Sequence, residues 1–379
     1  MLSELGEYPI ATIQMRARSR REAGLPVIDF SIGDPREPTP PFIPERLRSA
    51  VPDVSQYPTA AGLADLRDAI AGYVRRRFDV AIDPETQVVP TSGAKEGIFS
   101  TPLAFVDRSV GDAVAYPTPG YPVYERGARF AGATLAPLIL DGDFVVRAGD
   151  IGEDVWERAR LLWVCTPHNP AGSVMSSEEL ALLVDRARAT GTLLCSDECY
   201  ADIYDEAVFP RGPASVLQVA GSGAEGVLAY FSLSKRSGMT GYRSGAIVGD
   251  AAAIAALTAL RTTTGTASPE FVQEAAVAAW SDDTHAAERR AIFSEKRIIL
   301  RKAFDDLGLD VVASSAGLYL WVRVADDLDV TDRLLEHGVV VSPGRFFGAG
   351  GAGYLRLALV PTVGECQDAA DQLRRILAP

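Results

Sequence analysis

Cysteine is scarce. Cys165, Cys195, Cys199 and Cys366 are the only thiols in 379 residues, which argues against a disulfide framework. Cys195 and Cys199 lie four apart in LLCSDECY, but no second ligand pair accompanies them. They read as free thiols of a cytoplasmic protein rather than as a metal site. Basic blocks are missing too. Lys and Arg number 37 against 50 Asp and Glu, a net charge of −13, and no positive run offers a surface for nucleic acid or anionic membrane. No apolar run approaches the length of a membrane span. The stretch MLSELGEYPIATIQMRARSRR lacks the uninterrupted apolar core of a signal peptide, and Glu4 and Glu7 argue against a transit peptide. Arg16, Arg18, Arg20 and Arg21 are therefore expected on an exposed helix face.

What is present is apolar content, 47% of the chain, enough for a sizeable core. Short β-prone runs alternate with helical patterns through the middle: QVVP (87–90), AVAYP (113–117), LLWVC (161–165), TLLCS (192–196), VLAYFS (227–232) and GAIVG (245–249). Between them lie segments such as SSEELALLVDRARAT (176–190), with apolar residues at helical spacing. Strands without polar alternation are buried on both faces, so this part reads as α/β with a mainly parallel sheet flanked by helices. The last third changes character. A long helical stretch (about 268–307) precedes GLYLWVRV (317–324), GVVVSPG (338–344) and YLRLALV (354–360), whose alternation predicts an antiparallel sheet with one solvated face. The expected organisation is a large domain over 36–270, with 1–35 and 271–379 forming a smaller α+β domain.

Ligands of such sheets bind beyond the carboxyl ends of the strands, and the turns there carry chemistry. TSGAKEG (91–97) follows the first run. A small-residue turn opening a helix presents backbone N–H groups to an anion, though it is equally an ordinary cap. TPGYPVY (118–124) offers Tyr121 as a ring to lie against a planar ligand, or as loop packing. TPHNPAG (166–172) holds Asn169 between prolines, with His168 a weaker contact candidate. SDECY (196–200) places Asp197 at a strand end, either a cap or the partner of a cation, with Tyr200 three residues on. SLSKRSGMTGYR (232–243) ends an apolar strand in Lys235, with Ser232, Ser234 and Arg243 as donors for a dianion. A desolvated lysine in a cationic setting has a lowered pKa and attacks aldehydes. Together these turns supply what pyridoxal 5′-phosphate requires: an amine, a carboxylate for the pyridine nitrogen and donors for the phosphate.

With YPTAAGLADLR (57–67) and IGDP (32–35), these motifs occur in the order found in fold-type I enzymes, and the chain resembles the class I/II aminotransferases over nearly its whole length. That resemblance implies roles. Lys235 would carry the cofactor through its aldehyde, Asp197 would pair with the pyridinium, and Tyr200 and Asn169 would contact the ring hydroxyl. Tyr121 would stack on the ring, while Gly93, Ala94, Lys95, Ser232, Ser234 and Arg243 would surround the phosphate. Arg356 would grip the substrate α-carboxylate and Gly33 would approach it through the backbone. Tyr57 would reach the phosphate of a neighbouring subunit, so the resemblance also implies a homodimer with shared sites.

Within the family, SLSKRS with GYRSG, AGLYLW (316–321) and DDTHAAER (282–289) are similar to N-succinyldiaminopimelate aminotransferases. This predicts transfer of an amino group from that donor to a keto acid, 2-oxoglutarate, in lysine biosynthesis. Gly238 stands where asparagine is common and Ala171 where threonine is usual. An aminotransferase for aspartate, alanine or an aromatic amino acid, or a C–S lyase, would use the same residues. A non-enzymatic regulator on this fold would need a DNA-binding domain, for which the chain has neither room nor basic charge. Arg36, Arg243 and Arg345 are too scattered in sequence to single out a clamp for a distal acidic group.

Overall fold

The computed structural model describes residues 10–378 other than 222. Glu4 and Glu7 lie outside the described residues. The helix Ile10–Glu22 carries Arg16, Arg18 and Arg21 exposed and Arg20 partly so, as its sequence predicts.

Thirteen strands are found among the described residues: β1 (Ile28–Asp29), β2 (Val88–Thr91), β3 (Ala113–Thr118), β4 (Thr134–Ile139), β5 (Ala159–Cys165), β6 (Leu193–Asp197), β7 (Val227–Ser232), β8 (Gly245–Gly249), β9 (Val311–Val312), β10 (Tyr319–Arg323), β11 (Val339–Val340), β12 (Ser342–Pro343) and β13 (Tyr354–Ala358). Seven of them form the central sheet, in the order β2-β8-β7-β6-β5-β3-β4. β8 runs antiparallel to both its neighbours; β7, β6, β5, β3 and β4 are mutually parallel. Successive residues of the inner strands feed two cores. Leu162, Val164, Leu194, Ala229 and Phe231 pack on one face, and Leu161, Trp163, Cys195, Leu228 and Tyr230 on the other. Burial on both faces is why these strands read as continuous apolar runs. β4 was not predicted. Its sequence, TLAPLI, contains Pro137 and is largely exposed, which suits an edge strand and hides the apolar signal.

The predicted long helix is two, Glu270–Ser281 and Thr284–Asp306. Asp282 and Asp283 break it: Asp282 accepts from the His285 N–H (2.9 Å), and Asp283 accepts from Arg76 (2.7 Å) and Arg236 (2.5 Å). The later strands form an antiparallel sheet, β12-β13-β10-β9, but it has no solvated face. Leu320, Val322, Leu355 and Leu357 pack on Phe293, Leu300, Phe304 and Leu373 of two helices. On the other face Trp321 and Tyr354 stack together (5.0 Å between ring centroids) and meet Phe144 edge-on. The predicted strand GVVVSPG divides: β11 pairs in parallel with β1, and only β12 joins the sheet.

A strap from Ile32 to Pro41 crosses between these two bodies. Lys296, fully buried, pairs with Glu37 and donates to the carbonyl of Leu359 (3.2 Å). Arg289 donates to the carbonyl of Pro38 (3.1 Å), and Thr39 Oγ1 to that of Gly238 (2.7 Å). A buried charge stripped of its partner destabilises by about 3–5 kcal/mol, whereas an apolar replacement of both partners is near neutral. Glu37→Gln is therefore expected to lower unfolding free energy by about 3 kcal/mol in urea titration. Glu37→Leu combined with Lys296→Met is expected to recover most of the loss.

Candidate active site

The turns after β2, β3, β5, β6 and β7 lie at one edge of the sheet. Because β8 is antiparallel, the turn before it lies there too: Gly245 pairs with both Thr91 and Ser232. They enclose a cleft of about 610 Å³ lined by Gly33, Ala94, Lys95, Tyr121, Asn169, Asp197, Tyr200, Ser232, Ser234, Lys235 and Arg243. A contiguous cavity of about 330 Å³ shares several of these residues and adds Arg356, Tyr319, Phe346 and Phe347. Eleven predicted residues and Arg356 are thus brought together. Gly93 stands behind the cleft as the N-cap of the helix Ala94–Phe105, at φ 79°. Tyr57 belongs to neither cavity; its side chain is 99% exposed. His168 is buried away from both cavities and accepts from the Ala171 N–H at 3.4 Å. Burial holds it neutral, with its pKa down to about 3.

Lys235 sits in the one-turn helix Leu233–Arg236, capped by Ser232, whose hydroxyl accepts from the Ser234 N–H at 3.2 Å. Its amine donates to the carbonyl of Gly33. Desolvation pushes the Lys235 pKa down to about 8; nearby Asp34 opposes this, while Arg356 and Arg243 add to it.

Asp197 ends β6, the middle strand of seven. Its carboxylate accepts from the Tyr124 hydroxyl (2.7 Å) and the Cys199 N–H (3.2 Å). Among the described residues no cation lies within ion-pair distance of it, and burial raises its pKa against those two hydrogen bonds. Tyr124 is itself held flat against Trp163, at 5.1 Å between centroids and 16° between planes.

Arg356 is not a solvated strand residue; it is 5% exposed. Its guanidinium lies between the rings of Tyr319 (4.4 Å) and Phe347 (4.3 Å). It donates to Asn169 Oδ1 (3.1 Å) and to the carbonyl of Ser31 (2.6 Å). At the opposite end, the Arg243 guanidinium lies beside position 93, where the positive φ favours glycine. Gly238, where asparagine is common, has φ 64°, and the Arg289 guanidinium lies 2.9 Å from where a Cβ would be.

This arrangement fits pyridoxal 5′-phosphate on its own chemistry. A buried carboxylate held by neutral donors is completed by a protonated pyridine nitrogen. A buried amine of lowered pKa suits an aldehyde. The N-terminus of the helix Ala94–Phe105, with Ser232, Ser234 and Arg243, suits a phosphate dianion. Two contributors escaped the sequence reading. Tyr124 is one helical turn beyond Tyr121 and reads as core. Tyr319 alternates with Trp321 and reads as strand packing; its place beside Arg356 follows only from the register, in which Trp321 opposes Arg356. Tyr124→Phe removes one donor from a buried carboxylate, worth about 1 kcal/mol or somewhat more. Equilibrium titration of the apoprotein with cofactor is expected to show affinity falling about 5- to 10-fold.

Comparison with known proteins agrees. The family model for aminotransferase class I and II matches residues 26–373. An LL-diaminopimelate aminotransferase of Aquifex aeolicus is 35% identical over 384 residues, covering 99% of this chain and 98% of its own. A crystal structure of an aminotransferase from Neisseria meningitidis superposes with a TM-score of 0.91 at 31% identity, covering 99% of each chain. A probable N-succinyldiaminopimelate aminotransferase from Thermus thermophilus gives 0.88 at 28%, covering 96% of this chain and 99% of that one. The chain is a pyridoxal 5′-phosphate-dependent member of the class I and II aminotransferases.

Proposed function

We propose that this enzyme transfers an amino group between a diaminopimelate-type amino acid and 2-oxoglutarate in lysine biosynthesis. The residue roles are part of that proposal. When bound, the cofactor supplies an aldehyde to hold the amine and a ring to take up the electrons of the substrate Cα–H bond. Lys235 would hold the cofactor through its aldehyde, and its amine, once freed by substrate, would serve as the base that takes the proton from the substrate Cα. Asp197 keeps the ring nitrogen protonated, with Tyr124 orienting the carboxylate. Asn169 and Tyr200 would donate to the ring hydroxyl, and Tyr121 would cover the ring. Arg356 binds the α-carboxylate, orienting the Cα–H bond toward Lys235.

The observation that carries the substrate class is the extension of the cleft. Past Tyr121, Pro122, Phe346 and Phe347, walls common to both, lies a further cavity of about 260 Å³ lined by Glu125, Arg126, Arg129 and Arg345. Arg129 is paired with Glu125, and Arg345 with Asp327. Of the three arginines left open by the sequence, Arg243 faces the cofactor cleft and Arg36 pairs with Glu365. Only Arg345 borders this space. A long substrate with a charged far end suits it better than alanine or an aromatic amino acid. Free LL-diaminopimelate is favoured by the relatives that carry that name; the N-succinyl form is the second reading, supported by the Thermus thermophilus structure.

The deciding assay offers the holoenzyme each candidate donor with 2-oxoglutarate and measures glutamate. Free diaminopimelate is expected to give the highest kcat/KM. A higher value with the succinylated donor would establish the second reading; a parallel assay with an S-substituted cysteine that released a thiol, pyruvate and ammonia without forming glutamate would establish a lyase. Arg126→Ala is expected to raise KM for the long donor roughly 10-fold, the weight of one charge-assisted hydrogen bond, with little effect on alanine. Lys235 attacks as the neutral amine, whose population grows as pH rises through its pKa. The rate of cofactor capture by the apoprotein is therefore expected to climb with pH and level off above about 8, where an ordinary lysine would still be climbing.

A further inference from the structure

We propose that Tyr319 is a positioning residue that links the substrate-carboxylate clamp to the cofactor ring hydroxyl, by fixing which way the Tyr200 hydroxyl points its proton. The inference rests on the roles assigned above to Arg356 and Tyr200, and not on the identity of the amino donor.

The hydroxyls of Tyr200 and Tyr319 are 2.8 Å apart and buried, with their rings edge to face at 5.5 Å. Either can donate, and the surroundings decide which does. Tyr319 lies in β10 and Arg356 in β13. In the antiparallel register Trp321 opposes Arg356, so Tyr319 is its diagonal neighbour on the same face. The guanidinium consequently rests on the Tyr319 ring at 4.4 Å. A cation over a phenol ring makes its hydroxyl the better donor, and Arg356 indeed opposes the rise that burial imposes on the Tyr319 pKa. Burial raises Tyr200 as well, and Tyr319 raises it further. The other ionisable groups acting on the pair are Asp197 and Cys199 from the end of β6 and Cys165 from β5.

Tyr319 donates, and Tyr200 accepts. The Tyr200 proton is then directed into the cleft, toward the ring oxygen it is proposed to contact. Without Tyr319, that hydroxyl rotor is unconstrained. Gly33 belongs to the same device: a Cβ there would stand 2.6 Å from the Tyr319 hydroxyl oxygen. Arg356 therefore addresses both proposed ring-hydroxyl donors, Asn169 directly at 3.1 Å and Tyr200 through Tyr319.

The test reads the cofactor rather than turnover. A donor to the ring oxygen stabilises its ionised form, so weakening that donor raises the pH midpoint of the visible absorption change of the holoenzyme. Tyr319→Phe is expected to raise the midpoint by about 0.5–1 unit. Gly33→Ala, which displaces the hydroxyl while keeping Tyr319, is expected to shift it in the same direction. Tyr200→Phe is expected to raise it at least as far, and adding Tyr319→Phe to Tyr200→Phe is expected to change nothing more. A midpoint unmoved by Tyr319→Phe overturns the proposal. So does a Tyr319→Phe shift of undiminished size in the Tyr200→Phe background, or a Tyr319→Phe protein that keeps its melting temperature but no longer takes up cofactor. The readout does not depend on the donor, so a failed diaminopimelate assay leaves the result interpretable. A wild-type holoenzyme without any visible band overturns the Lys235 attachment and this linkage together.

Discussion

A carboxylate buried at the end of the middle strand, in the company of neutral donors, organises the rest of this structure. Burial alone would drive Asp197 toward its protonated form; the Tyr124 hydroxyl and the Cys199 N–H oppose that without cancelling it. Such a group is comfortable only beside a cation. Placing it on β6 puts three strands on each side, so the turns after β5 and β7 bring Asn169 and Lys235 to its flanks, and the outer turns bring Tyr121 and Arg243. The reversed β8 contributes its leading rather than its trailing end. Arg243 therefore reaches the cleft from the residues before a strand.

The second organising fact is that Arg356, the proposed carboxylate clamp, comes from a different sheet. Arg356 lies in β13, whose other face is closed by the helices Thr284–Asp306 and Val363–Leu377. Aromatic rings flank the guanidinium, with Tyr319 and Phe347 on either side. Low polarity strengthens its contacts and also helps depress the amine of Lys235. One charge thus acts at two places: at the proposed substrate clamp, and on Lys235, whose pKa it lowers.

Much of this was legible in the sequence, and the reasons for the failures are physical. The six apolar runs became β2, β3, β5, β6, β7 and β8 within a residue or two, because strands buried on both faces leave no polar gaps. β4 escaped because an exposed edge strand with a proline has no such signature. Leu355 and Leu357 alternate with Arg356, and alternation was taken for a solvated face. Of the alternate residues, Arg356 instead lines the cleft, and Tyr354 packs with Trp321 against Phe144. Tyr124 and Tyr319 were invisible for a related reason. An aromatic residue in a helix or strand reads as packing, and its hydroxyl gains a role only through a register or a helical turn that brings it to a partner. Tyr57 shows the opposite limit: a motif residue whose ring is almost fully exposed in this chain.

The strap from Ile32 to Pro41 shows why the two bodies must be held in register. Gly33 offers its carbonyl to Lys235 and leaves room for the Tyr319 hydroxyl. Four residues on, Glu37 is fixed by Lys296, which also holds the carbonyl of Leu359 just beyond β13. The strand bearing Arg356 and the segment over Lys235 are therefore tied to one buried ammonium group. A small displacement of the strap would move the Gly33 carbonyl from the amine and close the space beside Tyr319 at once. That shared dependence accounts for an ion pair in a place where apolar residues would give equal stability: directional bonds fix a position, which apolar packing of the same volume does not.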